Sequence, residues 1–266
     1  MIKNSQSELK KNYSQKGFFT IRNFFTREKI IKLKKDILKQ IEKKKYYFYY
    51  EKIKNKKKIR RIEKVSDEIV SSKKIILSKK IFSLLKILNK QNNILFKDKL
   101  NFKYPGGAGF LPHIDGHFIW LDENNRYQKG WKKYSGDFIN IVIPLEKSSK
   151  ENGCIYVSDK NNTNRLGKTF DQITKKMIIN TPNIKPQNLK KFNFVPIELN
   201  IGDIFVFNWK CAHFSKKNIS KKSRMIFYLT FCRKNIKIKN LRKVYYYDKK
   251  NSKNDEKNKS LQTPNK

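Results

Sequence analysis

The chain has 266 residues, of which 38% are hydrophobic and 13% aromatic, enough to build one domain with a substantial core. No apolar run approaches the length of a membrane-spanning helix, and residues 1–11 lack the apolar centre of a secretion signal, so we expect a cytoplasmic protein with no membrane partner. The formal net charge of +41 comes mostly from lysines that are spread along the chain, which argues against a nucleic-acid partner and favours small anionic substrates.

The first part of the chain predicts one strand and two helices. Residues 1–16 are polar and are predicted to form a flexible N-terminus, and residues 17–25 predict a strand. Thr26 is a good N-cap for an amphipathic helix, because apolar residues follow it at helical spacing: Ile30, Leu33, Ile37 and Ile41. The Lys- and Tyr-rich residues 43–61 predict a solvated hairpin or loop, and residues 78–90 predict the second helix.

The remainder of the chain has the character of β structure. Short segments rich in Ile, Val, Phe and Tyr lie near residues 94–104, 137–145, 153–157, 193–198, 203–208 and 224–232. Helices followed by many short strands predict an all-β core with added helices, in which the N-terminal helices pack on one sheet of a jelly roll. We expect a single domain over residues 17–248, a polar insertion at 161–191 across one mouth of the barrel, and a disordered Lys/Asn-rich tail at 249–266.

Two of the three histidines suggest a metal site. His113 and Asp115 are two residues apart, so on a strand their side chains point to the same side. His213 follows a second apolar strand, and two imidazoles with one carboxylate would leave three positions of a metal open. That ligand set is the facial triad typical of non-haem iron(II) oxygenases.

Arg224 lies eleven residues after His213 in a lysine-rich segment. A strand that returns through the barrel would bring its guanidinium to the closed end of the cavity. There it could bind the distal carboxylate of 2-oxoglutarate through two parallel hydrogen bonds, for which lysine is a poor substitute.

Several further motifs match one family in order and spacing. They are the strand and capped helix over residues 17–31, Lys103-Tyr104-Pro105-Gly106-Gly107, Glu151-Asn152-Gly153-Cys154, the strand over residues 202–207, and His213-Phe214-Ser215. Together with the His-x-Asp pair and Arg224 they cover residues 17–232, and the chain resembles the phytanoyl-CoA dioxygenase family.

The resemblance implies a double-stranded β-helix of the cupin-like type and the use of iron(II), 2-oxoglutarate and O2, with ascorbate supporting activity. It implies that His113, Asp115 and His213 bind the metal, and that Arg224, Ser215 and Lys103 contact the co-substrate. Asp115 stands where halogenating relatives have a small residue, so hydroxylation is expected. The products would be succinate, CO2 and a hydroxylated small molecule. The protein is expected to be a monomer or a homodimer.

The substrate side is less constrained by the motifs. After Glu151-Asn152-Gly153-Cys154 the family often continues to a Gly-Ser-His turn, whereas this chain has Ser158-Asp159-Lys160-Asn161. Residues after the His-x-Asp pair could line the pocket or simply pack: Trp120, Trp131, Tyr134 and His117.

Two other functions use the same residues. A non-catalytic jelly roll could serve as a basic binding module, and the three ligands could instead hold zinc in a hydrolase. The module would not need an intact triad, and the hydrolase would need a nearby general base but not Arg224.

Overall fold

In the computed structural model the described residues are 6–41, 47–89, 92–161, 184 and 186–252. They form seven α-helices, none long and apolar enough to cross a membrane. The helices are α1 (Gln6–Gln15), α2 (Arg27–Gln40), α3 (Val65–Glu68), α4 (Val70–Ile76), α5 (Lys79–Asn89), α6 (Pro186–Leu189) and α7 (Leu241–Asn251).

The described strands form two main antiparallel sheets and a small hairpin. The strands are β1 (Phe18–Ile21), β2 (Tyr47–Ile53), β3 (Lys56–Glu63), β4 (Asn93–Lys103), β5 (Phe110–His113), β6 (Ile119–Leu121), β7 (Tyr127–Lys129), β8 (Phe138–Pro144), β9 (Ile155–Val157), β10 (Val195–Ile197), β11 (Ile204–Asn208), β12 (His213–Ser215) and β13 (Arg224–Arg233). The seven-stranded sheet has the order β1-β11-β8-β13-β4-β3-β2, the four-stranded sheet has the order β10-β9-β12-β5, and β6 pairs with β7.

The N-terminal helices cover the outer face of the seven-stranded sheet. Helix α2 begins after Thr26, whose side chain accepts a hydrogen bond from the Lys29 amide, and it buries Ile30, Leu33 and Ile37. These residues share one core with the outward-facing residues of the sheet strands, which include Ile141 on β8. The predicted packing of helices on one sheet is therefore confirmed.

The prediction of a flexible N-terminus over residues 1–16 was wrong for residues 6–15. This segment forms α1, in which Leu9 and Tyr13 lie one turn apart and are buried in the outer core. Two apolar residues were too few to reveal the helix by periodicity, but tertiary packing stabilises it.

The inner faces of the two main sheets enclose the barrel. Val142 on β8 and Ile226 on β13 belong to the seven-stranded sheet, and they share a buried cluster with Ile155 and Val157 of the four-stranded sheet. Two antiparallel sheets that enclose one buried core form a jelly roll, so the predicted fold class is confirmed.

The Lys- and Tyr-rich segment forms a hairpin, which was one of the two predicted alternatives, and this hairpin is part of the main sheet. Strands β2 and β3 form a hairpin, and β3 continues the sheet by pairing with β4. Glu51 in β2 and Glu63 in β3 are only 2% and 3% exposed. Residues 54–58 are exposed as predicted, whereas the buried Glu51 contradicts the predicted solvation, because the many lysines around it concealed one inward-facing acid.

Most of the predicted insertion at 161–191 lies outside the described residues, as does the tail after residue 252. The first residues of that tail, 249–251, end helix α7 and were wrongly predicted to be disordered.

Candidate metal and co-substrate site

Two short neighbouring strands bring the histidines together. In the β5–β12 pair, His113 and His213 are direct cross-strand partners. Their ring centroids lie 4.3 Å apart, with an angle of 54° between the ring planes. Since cross-strand partners share one face of a sheet, this register alone places both imidazoles on the same side.

Asp115 completes the cluster from the turn that follows β5. Its Oδ2 lies 4.0 Å from Nε2 of His213, and one potential ligand atom from each of His113, Asp115 and His213 falls within 4.8 Å of the others. Among the described residues, no fourth His, Cys, Asp or Glu belongs to this group. The arrangement is therefore a three-ligand cluster with space for further ligands.

A chain of hydrogen bonds fixes the carboxylate of Asp115. The amide nitrogen of Asn140 donates to Asp115 Oδ2 at 3.2 Å, and the hydroxyl of Thr230 donates to Asn140 Oδ1 at 2.8 Å. Asn140 and Thr230 are cross-strand partners on β8 and β13, and both are buried. The inner face of the seven-stranded sheet thus supports a side chain from the loop opposite.

Both histidines point one nitrogen at a backbone carbonyl. Nδ1 of His113 lies 2.7 Å from the Leu111 carbonyl oxygen, and Nδ1 of His213 lies 3.0 Å from that of Cys211. If each Nδ1 donates its proton there, Nε2 keeps its lone pair. Such contacts commonly set the tautomer and orientation of metal-binding histidines.

Electrostatics favour neutral imidazoles and an ionised carboxylate. Burial, reinforced by His213, lowers the pKa of His113 to about 3, and burial also lowers the pKa of His213. Burial alone would raise the pKa of Asp115, but His213, Lys99 and Lys97 lower it below its usual value. These are the protonation states that a cation requires. Two nitrogens and one oxygen suit iron(II) or zinc, whereas calcium and magnesium favour oxygen ligands.

Arg224 is buried in the barrel with only part of its guanidinium satisfied. It is 1% exposed, and its Nη1 donates to the Gly153 carbonyl oxygen. Its Nε and Nη2 are buried and have no hydrogen-bond partner among the described residues. A buried cation with two free donors is costly unless an anion accepts from it.

Lys103 lies beside Arg224 as its cross-strand partner on β4. Its ammonium group donates to the Ser215 hydroxyl at 2.8 Å and to the Lys216 and Gly153 carbonyls at 2.6 and 3.2 Å. Burial, with the nearby charge of Arg224, lowers the pKa of Lys103 to about 5. An anion between these two side chains would offset both the burial and the repulsion.

Gly153 must be a glycine where it meets this pair. Its φ of +77° lies in the left-handed region, and a side chain there would press on the Lys216 carbonyl and the ammonium of Lys103. The Glu-Asn-Gly-Cys motif thus brings a backbone carbonyl to both cations.

Sequence reasoning missed the polar residues that join the two ends of the cavity. Asn101 and Tyr228 lie on the inner faces of β4 and β13, and the side-chain oxygen Oδ1 of Asn101 is buried without a partner in the described part of the chain. Lys97 and Lys99 extend this row towards Asp115, whose pKa they help to lower. Burial lowers the pKa of both lysines. Their i, i+2 spacing in the sequence was the signal, but it did not tell which face was inside.

The residues considered for the substrate side occupy mainly packing positions. Trp120, Trp131 and Tyr134 are at most 7% exposed and belong to a buried aromatic cluster with Phe96. His117 lies outside the three-ligand group and stacks on Trp209 with a centroid distance of 5.0 Å. Contact of any of these residues with a substrate stays a prediction.

Curated relatives of the chain are oxygenases. A 2-aminoethylphosphonate dioxygenase from an uncultured bacterium (HF130_AEPn_1) is 28% identical over 175 residues, which cover 65% of this chain and 58% of the relative. A probable alpha-ketoglutarate-dependent hypophosphite dioxygenase from Stutzerimonas stutzeri is 28% identical over 177 residues, covering 62% and 55%. The chain therefore spans a little over half the length of these relatives.

The fold and the family agree with these similarities. The structure of EctD from S. alaskensis with 2-oxoglutarate and 5-hydroxyectoine superimposes with a TM-score of 0.64 at 14% identity, over 86% of this chain and 77% of that one. The model of the phytanoyl-CoA dioxygenase family matches residues 13–226. This match covers most of the chain and includes the three-ligand cluster and Arg224, and the chain belongs to the phytanoyl-CoA dioxygenase family.

Proposed function

We propose that the protein is an iron(II)- and 2-oxoglutarate-dependent dioxygenase that hydroxylates a small anionic molecule. The observation that carries this proposal is the combination of two sites in one barrel. His113, Asp115 and His213 converge at one end, and at the other a buried Arg224 presents two nitrogens that have no partner among the residues described. The first site fits a divalent metal, and the second fits a carboxylate.

In this proposal the three ligands hold iron on one face and leave the opposite face open. When bound, iron(II) with 2-oxoglutarate and O2 supplies the oxidant that converts a C–H bond into C–OH, while 2-oxoglutarate leaves as succinate and CO2. Asn140 keeps Asp115 oriented for the metal, and the two carbonyl contacts keep both imidazoles in the metal-binding tautomer.

At the other end, Arg224 would bind the distal carboxylate of the co-substrate. Two adjacent N–H groups match a carboxylate in a bidentate pair, and the low polarity of the buried site strengthens such a contact. Ser215 would act from the same end, with Lys103 fixing its hydroxyl. The burial of these groups excludes water from the co-substrate.

An anionic substrate is supported by charge and by the relatives. The chain carries a formal net charge of +41, which raises the local concentration of anions. The names of both relatives compared above specify phosphorus oxyacids as substrates. A small phosphonate is therefore the first substrate to test.

Two specific features disfavour the alternatives. A zinc hydrolase would need a general base close to the metal, yet among the described residues no further Asp, Glu or His joins the cluster. A non-catalytic module would not need two neutral imidazoles beside one ionised carboxylate. It would also not need a buried guanidinium with two N–H donors that have no partner among the described residues.

Succinate formation tests the proposal directly. The protein is incubated with iron(II), ascorbate and 2-oxoglutarate, and we expect slow succinate release that a true substrate accelerates. His213→Ala should abolish both iron binding and succinate release, whereas His117→Ala should still bind iron. If zinc alone supports turnover, or if no 2-oxoglutarate is consumed by iron-loaded protein with any substrate, the proposal is wrong.

A further inference from the structure

A second group of positive charges lies on the inner face of β4, further along the strand from the Arg224–Lys103 pair and towards the metal cluster. Strand β4 points alternate residues inward, so Lys97 and Lys99 follow Asn101 and Lys103 along the same face. Lys97 and Lys99 pair with Thr230 and Tyr228 on β13. Thr230 donates a hydrogen bond to Asn140, and Asn140 donates one to Asp115, so the register brings Lys97 to the level of the metal cluster.

Aromatic rings hold the two ammonium groups in place. Nζ of Lys97 lies 4.0 Å from the centroid of the Trp131 ring, and Nζ of Lys99 lies 5.0 Å from that of Tyr228. A cation on a ring face keeps its N–H groups available for an anion. The lysines are therefore oriented but not saturated.

Neither lysine has a carboxylate partner among the residues that the structure describes. The nearest candidate by register is Glu63, which lies across from Lys99 in the β3–β4 pair. Glu63 instead accepts from Lys249 at 2.5 Å and lies 3.4 Å from Arg61. Asp115 is required by the metal, so no described acid is left to neutralise Lys97 and Lys99.

The charges in the loaded site show what is missing. A divalent cation and Arg224 are balanced by Asp115 and the 2-oxoglutarate dianion, whereas Lys97 and Lys99 stay unbalanced. Lys97 and Lys99 are partly buried. A charge that lacks a counter-ion in such a site is unfavourable, and binding of a doubly charged anion would relieve it.

We infer that Lys97 and Lys99 form the anion-binding half of the substrate site and select a small phosphonate dianion. This inference rests on the proposed function, because it takes Arg224 as the co-substrate site and Lys97 and Lys99 as lying at the metal end of the cavity. The phosphonate oxygens accept hydrogen bonds from both ammonium groups, which leaves the carbon next to phosphorus directed towards the metal cluster. Trp131 then affects the substrate through Lys97 rather than by direct contact.

Binding of methylphosphonate under anaerobic conditions tests the inference on protein loaded with iron(II) and 2-oxoglutarate. We expect Lys97→Met and Lys99→Met each to weaken methylphosphonate binding by about tenfold or more, as for the loss of a charge-assisted hydrogen bond. Methanesulfonate, of similar shape but with a single charge, should bind the wild-type protein more weakly. Lys74→Met removes the same charge from an exposed position on α4 and should change nothing.

The outcomes separate the inference from the proposed function. Iron(II) and 2-oxoglutarate binding should persist in the lysine variants, and this also shows that they fold; Lys99→Arg should restore part of the affinity for methylphosphonate. If a folded double variant binds methylphosphonate as tightly as the wild type, or if the wild type binds 2-oxoglutarate but neither methylphosphonate nor 2-aminoethylphosphonate, the inference is wrong. If the wild type fails to bind 2-oxoglutarate, the proposed function itself fails.

Discussion

Replacement of Arg224 by methionine should separate co-substrate binding from folding. The side chain is 1% exposed, and two of its nitrogens have no partner in the described part of the chain. Methionine has a similar length without charge, so the change removes the guanidinium and keeps most of the packing. The metal ligands are on other strands and should be unaffected.

The size of the effect follows from the contacts that are lost. A buried, charge-assisted pair contributes about 2 to 5 kcal/mol when one partner is removed, so the dissociation constant of 2-oxoglutarate should rise by about thirtyfold to several thousandfold. The protein without ligand should lose little stability or gain some, because a buried cation without a counter-ion is removed. We therefore expect Arg224→Met to bind 2-oxoglutarate more weakly without a loss of stability in the ligand-free protein.

The assay is anaerobic calorimetric titration of iron(II)-loaded protein with 2-oxoglutarate, together with thermal melts. In the wild type, 2-oxoglutarate should raise the melting temperature, and in Arg224→Met this rise should disappear. Arg233→Met is the matched control, since Arg233 ends the same strand but is exposed. Arg224→Lys should recover only part of the affinity for 2-oxoglutarate, because lysine keeps the charge but lacks the two parallel N–H donors of a guanidinium.

The reasoning would be refuted if Arg224→Met bound 2-oxoglutarate within about threefold of the wild type. A large fall in the stability of the ligand-free variant would also contradict it, since that result would mean that the guanidinium serves the fold.

Three further predictions address the rest of the site. Asn140→Leu should lower iron affinity or turnover by about tenfold to a hundredfold, measured by metal titration, because Asp115 loses its supporting hydrogen bond; unchanged values would show that Asp115 needs no support. Lys103→Met should weaken 2-oxoglutarate binding by about tenfold while iron binding persists, and equal loss of both ligands would indicate misfolding. His113 has a pKa of about 3 in the folded protein and of about 6.5 in the unfolded chain. Between these pH values the unfolded chain binds a proton at His113 and the folded protein does not. Stability of the metal-free protein should therefore fall by about 2 kcal/mol from this group as the pH drops from 7 to 5; chemical denaturation at both pH values should show a smaller fall for His113→Gln, and an equal fall would contradict the assignment.

The strands and the metal cluster could be predicted because their signals are local. Runs of apolar residues marked β8, β11 and β13. The spacing of His113 and Asp115 indicated a shared site, although Asp115 reaches it from the turn after β5 and not from the strand. The distant His213 could be added because a carboxylate and one imidazole do not complete a metal site. Its register opposite His113 was not predictable, since β5 and β12 are too short to show a pattern.

The inner surface of the barrel was harder to predict. Alternation along β4 shows that two faces differ, but it does not show which one is inside, and polar faces usually meet solvent. Here the apolar face lies under the helices, and the polar face, with Lys99 and Asn101, lines the cavity. An overall excess of lysine made Lys97 and Lys99 look ordinary in the sequence. Only the topology distinguishes them from lysines on the surface.

The central claim is that three side chains hold an iron ion to which 2-oxoglutarate binds. Anaerobic addition of 2-oxoglutarate to protein with iron(II) tests it most directly, through the visible absorption band of an iron(II)–2-oxo acid chelate. We predict one equivalent of iron per chain and a band that appears with 2-oxoglutarate and is absent in His113→Ala and His213→Ala. A wild-type protein that binds no stoichiometric iron, or shows the same band without His213, would contradict the account.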